Sequence, residues 1–221
     1  MKRRIIETAD GSKTIHLEDW NEQYHSKHGA IQEAYHVFIE HGLRHVGLQD
    51  ISILEIGFGT GLNALITLLE AEQNGIQINY VGVEAYPVSM EEVGALDYCS
   101  QLQVDGHHGV FEKMHLSPWE EEVAIAKNFC LLKQQKDFMQ IENSNLFNLI
   151  YFDAFGARVQ PELWTEAIFS KMFTALKVGG VLVTYAAKGS VRRAMQAVGF
   201  TVERLPGPPG KREMLRATKM L

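Results

Sequence analysis

Residues 51–65 of this 221-residue chain read ISILEIGFGTGLNAL, and this stretch decides the fold. It opens with enough apolar residues for a buried strand. Three glycines, Gly57, Gly59 and Gly61, follow at every second position, and a helix-competent run begins at Leu62. Glycines let a ligand approach the backbone, and a helix N-terminus directs free N–H groups toward it. The order of strand, glycine turn and helix therefore predicts a nucleotide-type site in an α/β protein.

The spacing of the glycines distinguishes between ligand classes. A dinucleotide-binding turn reads G-x-G-x-x-G and holds a pyrophosphate at the helix N-terminus. Here the spacing is G-x-G-x-G, and Glu55 stands two residues before the first glycine. A carboxylate at this point would repel a pyrophosphate but suits a ligand with a cationic amino-acid end. The pattern resembles motif I of the class I S-adenosylmethionine (AdoMet) methyltransferases, E/D-x-G-x-G-x-G; the alternative is a tight turn in an ordinary α/β protein.

Two later strands are predicted to end in acids. Residues 78–84 form one of them and end at Glu84, and residues 146–153 form the other and end at Asp153. In nucleotide-binding sheets an acid in the position of Glu84 accepts hydrogen bonds from ribose hydroxyls. Asp153 is predicted at the reaction centre, where it could orient an amine, accept its proton or contact the AdoMet amino group. A helix cap is the structural alternative for Asp153.

Strand and helix patterns alternate along the rest of the chain. Further strands are predicted at 128–133 and 179–185, and two final strands at 200–205 and 213–220. This order predicts an α/β, Rossmann-like class I methyltransferase fold, a seven-stranded doubly wound sheet with a terminal antiparallel hairpin. Residues 1–46 are predicted to form a β-hairpin, turning at Asp10-Gly11, and a helix that together cover the site. Residues 47–221 are predicted to be the methyltransferase domain.

Charge is distributed unevenly. The net charge is −6, whereas residues 188–219 contain eight basic and two acidic residues. A basic C-terminal block on an acidic body fits contact with a polyanion, and a solvated surface without a partner fits equally well. Lys211 and Arg212 follow a Pro/Gly-rich turn, and Arg192 and Arg193 begin a nearby helix, so these four are the predicted phosphate contacts.

Composition excludes several other classes. No apolar run approaches the roughly 20 residues that a membrane span needs, and the N-terminus lacks the apolar region of a signal peptide. Cys99 and Cys130 are expected to be reduced core thiols. We therefore expect a cytoplasmic protein without a membrane partner.

No metal is predicted, because no metal-ligand spacing is matched by the histidines at 107, 108 and 115 and the acids at 120–122. The acids are expected to start a helix after Ser117-Pro118.

Nearly the whole chain, from about Thr14 to Leu215, resembles one family. The residues that carry this resemblance lie in five stretches: 24–38, 57–63 (GFGTGLN), 153–164, 191–200 and 210–215 (GKREML). They are similar to the methyltransferase domain of the bifunctional tRNA wobble-uridine enzyme MnmC and to its stand-alone counterpart MnmD. The resemblance implies methyl transfer from AdoMet to the aminomethyl nitrogen at carbon 5 of the wobble uridine in tRNA.

The motif and the resemblance together predict the site residues. Asp153 is the predicted catalytic residue, and Tyr24, Arg192, Arg193, Lys211 and Arg212 are the predicted substrate and RNA contacts. The predicted cofactor-binding residues are Glu55, Gly57, Phe58, Gly59, Thr60, Gly61, Asn63, Glu84, Gln135 and Asp153.

The resemblance also bears on cofactors and partners. The FAD-binding oxidoreductase half of the bifunctional form is expected to be missing, so a separate oxidoreductase or tRNA-modification complex acting upstream is an expected partner besides tRNA. Two departures stand out: Gln134-Gln135 replaces a Gly-Asp pair that often contacts adenine, and residues 155–158 read FGAR rather than Phe-Ala/Ser-Pro. Methylation of a small metabolite or protein, and a non-catalytic AdoMet- or nucleotide-binding module, remain alternative functions.

Overall fold

The computed structural model describes residues 2–220 and contains two sheets. The smaller sheet is antiparallel and consists of β1 (Arg3–Glu7), β2 (Lys13–Leu17) and β3 (Glu22–Gln23). The predicted hairpin turn at Asp10-Gly11 is confirmed: the carboxylate of Asp10 accepts hydrogen bonds from the Ser12 amide and from the hydroxyls of Thr8 and Ser12. A short polar side chain that satisfies the turn in this way fixes the register of the two strands.

The larger sheet has eight strands. They are β4 (Asp50–Ile56), β5 (Gln77–Glu84), β6 (Glu122–Ala126), β7 (Phe129–Gln135), β8 (Phe147–Phe152), β9 (Leu176–Thr184), β10 (Phe200–Pro206) and β11 (Glu213–Lys219). Their spatial order is β10-β11-β9-β8-β4-β5-β7-β6. The central strands β7, β5, β4, β8 and β9 run parallel, and β11 joins β9 in the antiparallel sense. The direction of winding reverses between β4 and β8, where ligands bind in sheets of this kind.

The predicted fold class is confirmed, with one strand more than expected. The terminal antiparallel hairpin is β10 paired with β11. The extra strand is β6, which pairs antiparallel with β7 at the edge of the sheet. The prediction that the acids at 120–122 begin a helix was wrong, because the chain turns at Glu120, with a φ of 64°, and then enters β6. Pairing with β7 overrides the local preference of these residues.

Helices cover both faces of this sheet. A continuous helical stretch runs through α1 (Ala30–Ala34), a π-helical segment (Tyr35–Leu43) and α2 (Arg44–Val46). The others are α3 (Leu62–Asn74), α4 (Met90–Ala95), α5 (Tyr98–Gln101), α6 (His108–Leu116), α7 (Glu166–Ala175) and α8 (Gly189–Ala197). Single 3₁₀ turns lie at Asp105–His107, Phe138–Gln140 and Pro161–Trp164. Within residues 2–220, no helix is long and apolar enough to cross a membrane.

The alternation of side chains along β4 builds two cores. Ile51 and Ile53 belong to the core under the first helical stretch and α3, whereas Leu54 and Ile56 belong to the core under α7 and α8. Successive strand residues point to opposite faces, so a strand that is apolar throughout is covered on both sides. The helical stretch at 30–46 packs into the first of these cores. The division of the chain at residue 46 stays a prediction.

Candidate active site

A cavity of about 1320 Å³ opens at the carboxyl ends of the parallel strands. The segments that line it come from the N-terminal section, the glycine turn, the ends of β5, β8 and β9, the 3₁₀ turns at 138–140 and 161–164, and the β10–β11 loop. Ligand pockets commonly enclose roughly 300–1,000 Å³. This cavity therefore has room for a nucleoside cofactor and for part of a second molecule.

The glycine turn wraps closely around its neighbours. Gly57 has a φ of 89°, and a Cβ atom added there would lie 2.8 Å from the carbonyl oxygen of Asp153. Gly59 has a φ of 49°, and an added Cβ would lie 3.0 Å from the ring of Tyr24. Side chains are disfavoured at both positions by conformation and by space. The turn thus brings bare backbone to the floor of the cavity.

Glu84 holds the turn against the end of β5. One carboxylate oxygen accepts the Gly59 amide at 3.0 Å, and the other accepts the Tyr86 amide at 2.9 Å. The side chain is largely buried but still borders the cavity. Each carboxylate oxygen has a further lone pair, so Glu84 can accept hydrogen bonds from a ligand without releasing the turn.

A buried hydrogen-bond chain runs from the core to Asp153. The Tyr80 hydroxyl donates to Glu55 at 2.9 Å, and the amide nitrogen of Asn63 donates to both Glu55 and Asp153, each at 2.9 Å. Glu55 is fully buried, and among the described residues those that line the cavity include Asn63 and Asp153 but not Glu55. The motif acid therefore reaches the cavity only through Asn63.

The carboxyl of Asp153 lies where β8 ends, next to the glycine turn. Burial is the main cause that raises the pKa of Asp153 to about 7, and the negative charge of Glu33 adds to the rise. The hydrogen bond from Asn63 and the positive charge of Lys211 act in the opposite direction. A carboxyl that titrates near neutral pH can both hold and release a proton under physiological conditions.

Phe58 and Thr60 belong to the turn, and both residues are buried. The Phe58 ring packs on Gly82, where an added Cβ would overlap it. The Thr60 hydroxyl accepts from Tyr98 at 3.1 Å, and its carbonyl oxygen accepts from Nε2 of His115 at 3.1 Å. Burial and the nearby charge of Lys133 lower the pKa of His115 to about 4, so the ring is neutral at pH 7. Both predicted residues border the cavity, and both also hold the turn in place.

Aromatic side chains line the opposite wall. The rings of Trp20 and Tyr24 meet the ring of Phe155 edge to face, with centroids 5.7 Å and 5.0 Å apart. The Tyr185 hydroxyl donates to the carbonyl oxygen of Ala154 at 2.8 Å. Flat rings beside an acid suit a planar heterocycle that carries a polar or cationic group.

Lys211 turns toward the cavity rather than toward solvent. Its ammonium pairs with the buried carboxylate of Glu33 and lies 3.8 Å from the centroid of the Tyr185 ring. Lys211 was predicted as a phosphate contact at an exposed loop end. Its side chain is only 30% exposed, because it pairs with the buried carboxylate of Glu33, and its contact with RNA stays a prediction. Glu33 lies in the 24–38 stretch that carries the resemblance but was not predicted as a site residue, and Tyr185 was missed because it ends a predicted strand without a motif.

Several predicted residues lie outside the cavity. Gln135 is exposed at the end of β7, where its backbone amide donates to Glu120, and the neighbouring residues 137–139 line the cavity instead. Gly61 caps α3 with a φ of 73°. Arg193 and Arg212 are exposed, and Arg192 is partly buried. Within residues 2–220, no ion pair is formed by these three arginines, and no group of three or more potential metal ligands is present.

Comparison with known proteins agrees with this geometry. A family model described as S-adenosyl-L-methionine-dependent methyltransferase matches residues 116–220. The chain is 27% identical to the tRNA 5-methylaminomethyl-2-thiouridine biosynthesis bifunctional protein MnmC of Cupriavidus metallidurans, and 29% identical to that of Aromatoleum aromaticum. Each match covers 96% of this chain. A crystal structure of MnmC2 from Aquifex aeolicus superposes with a TM-score of 0.79 at 26% identity, covering 98% of this chain and 70% of that one.

The chain is similar to MnmC proteins over nearly its whole length, and residues 116–220 match the methyltransferase family model. It is an AdoMet-dependent methyltransferase, which confirms the cofactor predicted from the glycine turn. The chain spans about a third of the length of the two curated relatives, 34% and 35%. A spermidine synthase in complex with the transition-state analogue AdoDATO shares the fold, with a TM-score of 0.63 at 14% identity.

The residues around the cavity fit AdoMet. The bare backbone of Gly57 and Gly59 gives a close approach, and Glu84 offers free lone pairs. The side-chain oxygen of Asn63 is buried and has no hydrogen-bond partner within residues 2–220. Buried polar atoms without partners are rare in native proteins and indicate a missing ligand or water.

Proposed function

We propose that this protein transfers the methyl group of AdoMet to the aminomethyl nitrogen at carbon 5 of the wobble uridine in tRNA. The observation that carries this proposal is the position of Asp153, at the junction of the glycine turn and an aromatic-walled cavity with room for the cofactor and part of a second molecule. The names of the MnmC relatives support tRNA as the substrate class. They describe proteins about three times as long as this chain, so the acceptor is proposed from the site as well as from the names.

The proposed cofactor contacts follow from the geometry of the cavity floor. The turn at 57–61 provides backbone, Glu84 accepts the ribose hydroxyls, and Asn63 and Asp153 face the amino-acid end of the cofactor. Phe58 and Thr60 support the turn from below. Glu55 is proposed to act through Asn63 and not to contact the cofactor. Residues 137–139, and not Gln135, are proposed to contact the adenine ring.

Bound AdoMet supplies an electrophilic sulfonium methyl group, so the N–CH₃ bond forms as the S–CH₃ bond breaks and S-adenosylhomocysteine leaves. The acceptor nitrogen must present a lone pair, which an ammonium group lacks. Asp153 has a pKa near 7, and therefore can take the proton of the amine and pass it to solvent. The ammonium of Lys211 opposes a second positive charge nearby and so favours the neutral amine.

Tyr24 and Phe155 are proposed to hold the uracil ring, and the exposed Arg193 and Arg212 to hold tRNA phosphates near the cavity mouth. An upstream oxidoreductase that exposes the amine is a proposed partner, and a cytoplasmic location is part of the same proposal. The reaction is tested by incubating the protein with methyl-labelled AdoMet and undermodified tRNA, followed by nucleoside analysis.

We expect label only in a 5-methylaminomethyl uridine. Fully modified tRNA is the matched control and should accept no label. Label appearing instead in a polyamine or in protein would favour methylation of a small metabolite or protein. AdoMet binding without transfer to any of these acceptors would indicate a non-catalytic binding module.

A further inference from the structure

The side chain of Asn63 joins two carboxyl groups that belong to different strands. Its amide nitrogen donates one hydrogen to Glu55 on β4 and the other to Asp153 at the end of β8. An ionised carboxylate only accepts, so the nitrogen of the amide faces both partners while they are ionised. The orientation of Asn63 therefore depends on the protonation of these two carboxyls, and burial raises the pKa of Glu55.

The core end of this chain is fixed. Glu55 has no exposed surface, and its second oxygen accepts the hydroxyl of Tyr80 on β5. Tyr80 is itself buried, and its ring stacks on Phe129 with centroids 5.5 Å apart. Burial of Glu55 is costly and is offset only by the two donors that it receives.

We infer that Asn63 is a positioning residue. It links the buried Tyr80–Glu55 pair to Asp153 by hydrogen bonds and so controls the orientation and protonation of the carboxyl at the reaction site. Its importance for turnover rests on the proposed function, whereas its effect on Asp153 does not. Glu55, the acid of the glycine motif, thereby has a role: it orients the side-chain amide of Asn63 and lies outside the cavity.

Removal of the Tyr80 hydroxyl tests this inference without altering the cavity, since Tyr80 does not line it. In Tyr80→Phe, Glu55 loses one hydrogen-bond donor, so its protonated form becomes more populated. A protonated Glu55 can donate to the side-chain oxygen of Asn63. The amide then turns, and Asp153 loses its donor. Asn63→Leu removes that donor directly.

Besides Glu55 on β4, the groups that face Asp153 from other elements are Glu33 on α1, Lys211 in the β10–β11 loop and Tyr185 after β9. None of these three is changed by Tyr80→Phe. Loss of the Glu55 charge alone would lower the midpoint of Asp153, whereas loss of the Asn63 donor raises it, so the sign of the shift separates the two effects. The readout is ¹³C NMR titration of the Asp153 carboxyl in the free protein, which needs neither AdoMet nor tRNA.

We expect the titration midpoint of Asp153 to rise by roughly one pH unit in Asn63→Leu, and by a smaller amount in Tyr80→Phe, because a donor to the charged form is lost. Tyr151→Phe is the matched control. It removes another buried hydroxyl of the same core, which lies 3.3 Å from the hydroxyl of Thr67 and has no hydrogen bond to Glu55 or Asp153.

Equal midpoints in wild type and both test variants would overturn the inference, and so would an equal shift in Tyr151→Phe. If Asn63→Leu does not fold, Tyr80→Phe alone decides. In an active enzyme the acidic limb of the rate profile should move with the midpoint. A shifted midpoint in a protein that methylates no tRNA would keep the inference and reject the proposed function.

Discussion

Lys211 and Glu33 form an ion pair that joins the C-terminal hairpin to the first helical stretch across the cavity. The side chain of Lys211 is 30% exposed and that of Glu33 is 8% exposed. The same contact brings residues 26–33 under the β10–β11 loop, where the His28 ring occupies the space of a side chain on Gly210. Two segments about 180 positions apart in sequence thereby form one wall of the site.

Lys211→Met should lower the stability of the protein. The substitution leaves Glu33 buried without its cation, and we expect a loss of about 1–3 kcal/mol, between the values for exposed and buried pairs. Arg212→Met is the matched control, because Arg212 is exposed and its neighbour in sequence. Its effect should stay within about 0.5 kcal/mol. Urea unfolding measures both, and equal stabilities for the two variants would contradict a structural role for the pair.

Arg193 and Arg212 should govern the salt dependence of tRNA binding. Each arginine that neutralises a phosphate releases counterion, so each alanine substitution should reduce the slope of log K against log salt by roughly 0.7–0.9. Lys127→Ala is the control, because Lys127 is exposed in the β6–β7 turn, at the amino ends of the parallel strands. Melting temperatures should not change. Slopes that match wild type in both arginine variants would place the RNA surface elsewhere.

Gly59→Ala should weaken AdoMet binding. An added Cβ would lie 3.0 Å from Tyr24 in a left-handed backbone conformation, so the ring or the turn must move into the space of the ligand. We expect an affinity loss of roughly tenfold or more by calorimetry. Gly94→Ala in α4, with no atom within 4 Å of the added group, should bind normally. Unchanged affinity in Gly59→Ala would remove the glycine turn from the cofactor site.

Asp153→Asn should reduce turnover by roughly 10²-fold, the usual contribution of a positioned acid–base group. The amide keeps the size of the side chain and loses the proton acceptor. Glu162→Gln, an exposed acid that lines the same cavity, is the control and should keep most of the activity. Rates are measured with saturating AdoMet, so that a change in cofactor affinity does not enter. Near-normal turnover in Asp153→Asn would exclude it as the proton acceptor.

Asp153 should also make stability fall with rising pH. The folded-state pKa of about 7 exceeds the ordinary value of 3.8, so the folded protein binds more protons between these values. Stability therefore decreases from about pH 4 to pH 7, and the full cost remains above pH 7. Asp153→Asn should be about 2–4 kcal/mol more stable than wild type at pH 8 and nearly equal at pH 4.

Asp105→Asn, at an exposed position, removes the same charge and should show no such divergence between pH 4 and pH 8. Thermal melts of the three proteins across this range decide the point. Parallel curves for Asp153→Asn and wild type would mean that burial does not hold Asp153 in its neutral form.

The local signals in the sequence were strong enough to predict the fold class. The run of apolar residues in β4, the glycines at 57, 59 and 61, and the Asp10-Gly11 turn each depend on neighbouring residues alone. The predicted positions of Glu84 and Asp153 at strand ends were likewise confirmed, because alternation of strands and helices fixes which strand ends share an edge.

Only the tertiary structure decided which of those residues line the cavity and which are buried behind it. Strand β6 exists because β7 pairs with it, although its acids favour a helix start. Glu55 is withdrawn behind Asn63, and Lys211 is drawn inward by Glu33, because burial of a charge demands a partner that can come from any part of the chain. The sequence alone determined the fold class and the edge of the sheet where the cavity lies; long-range pairing of buried polar groups determined which side chains face the cavity.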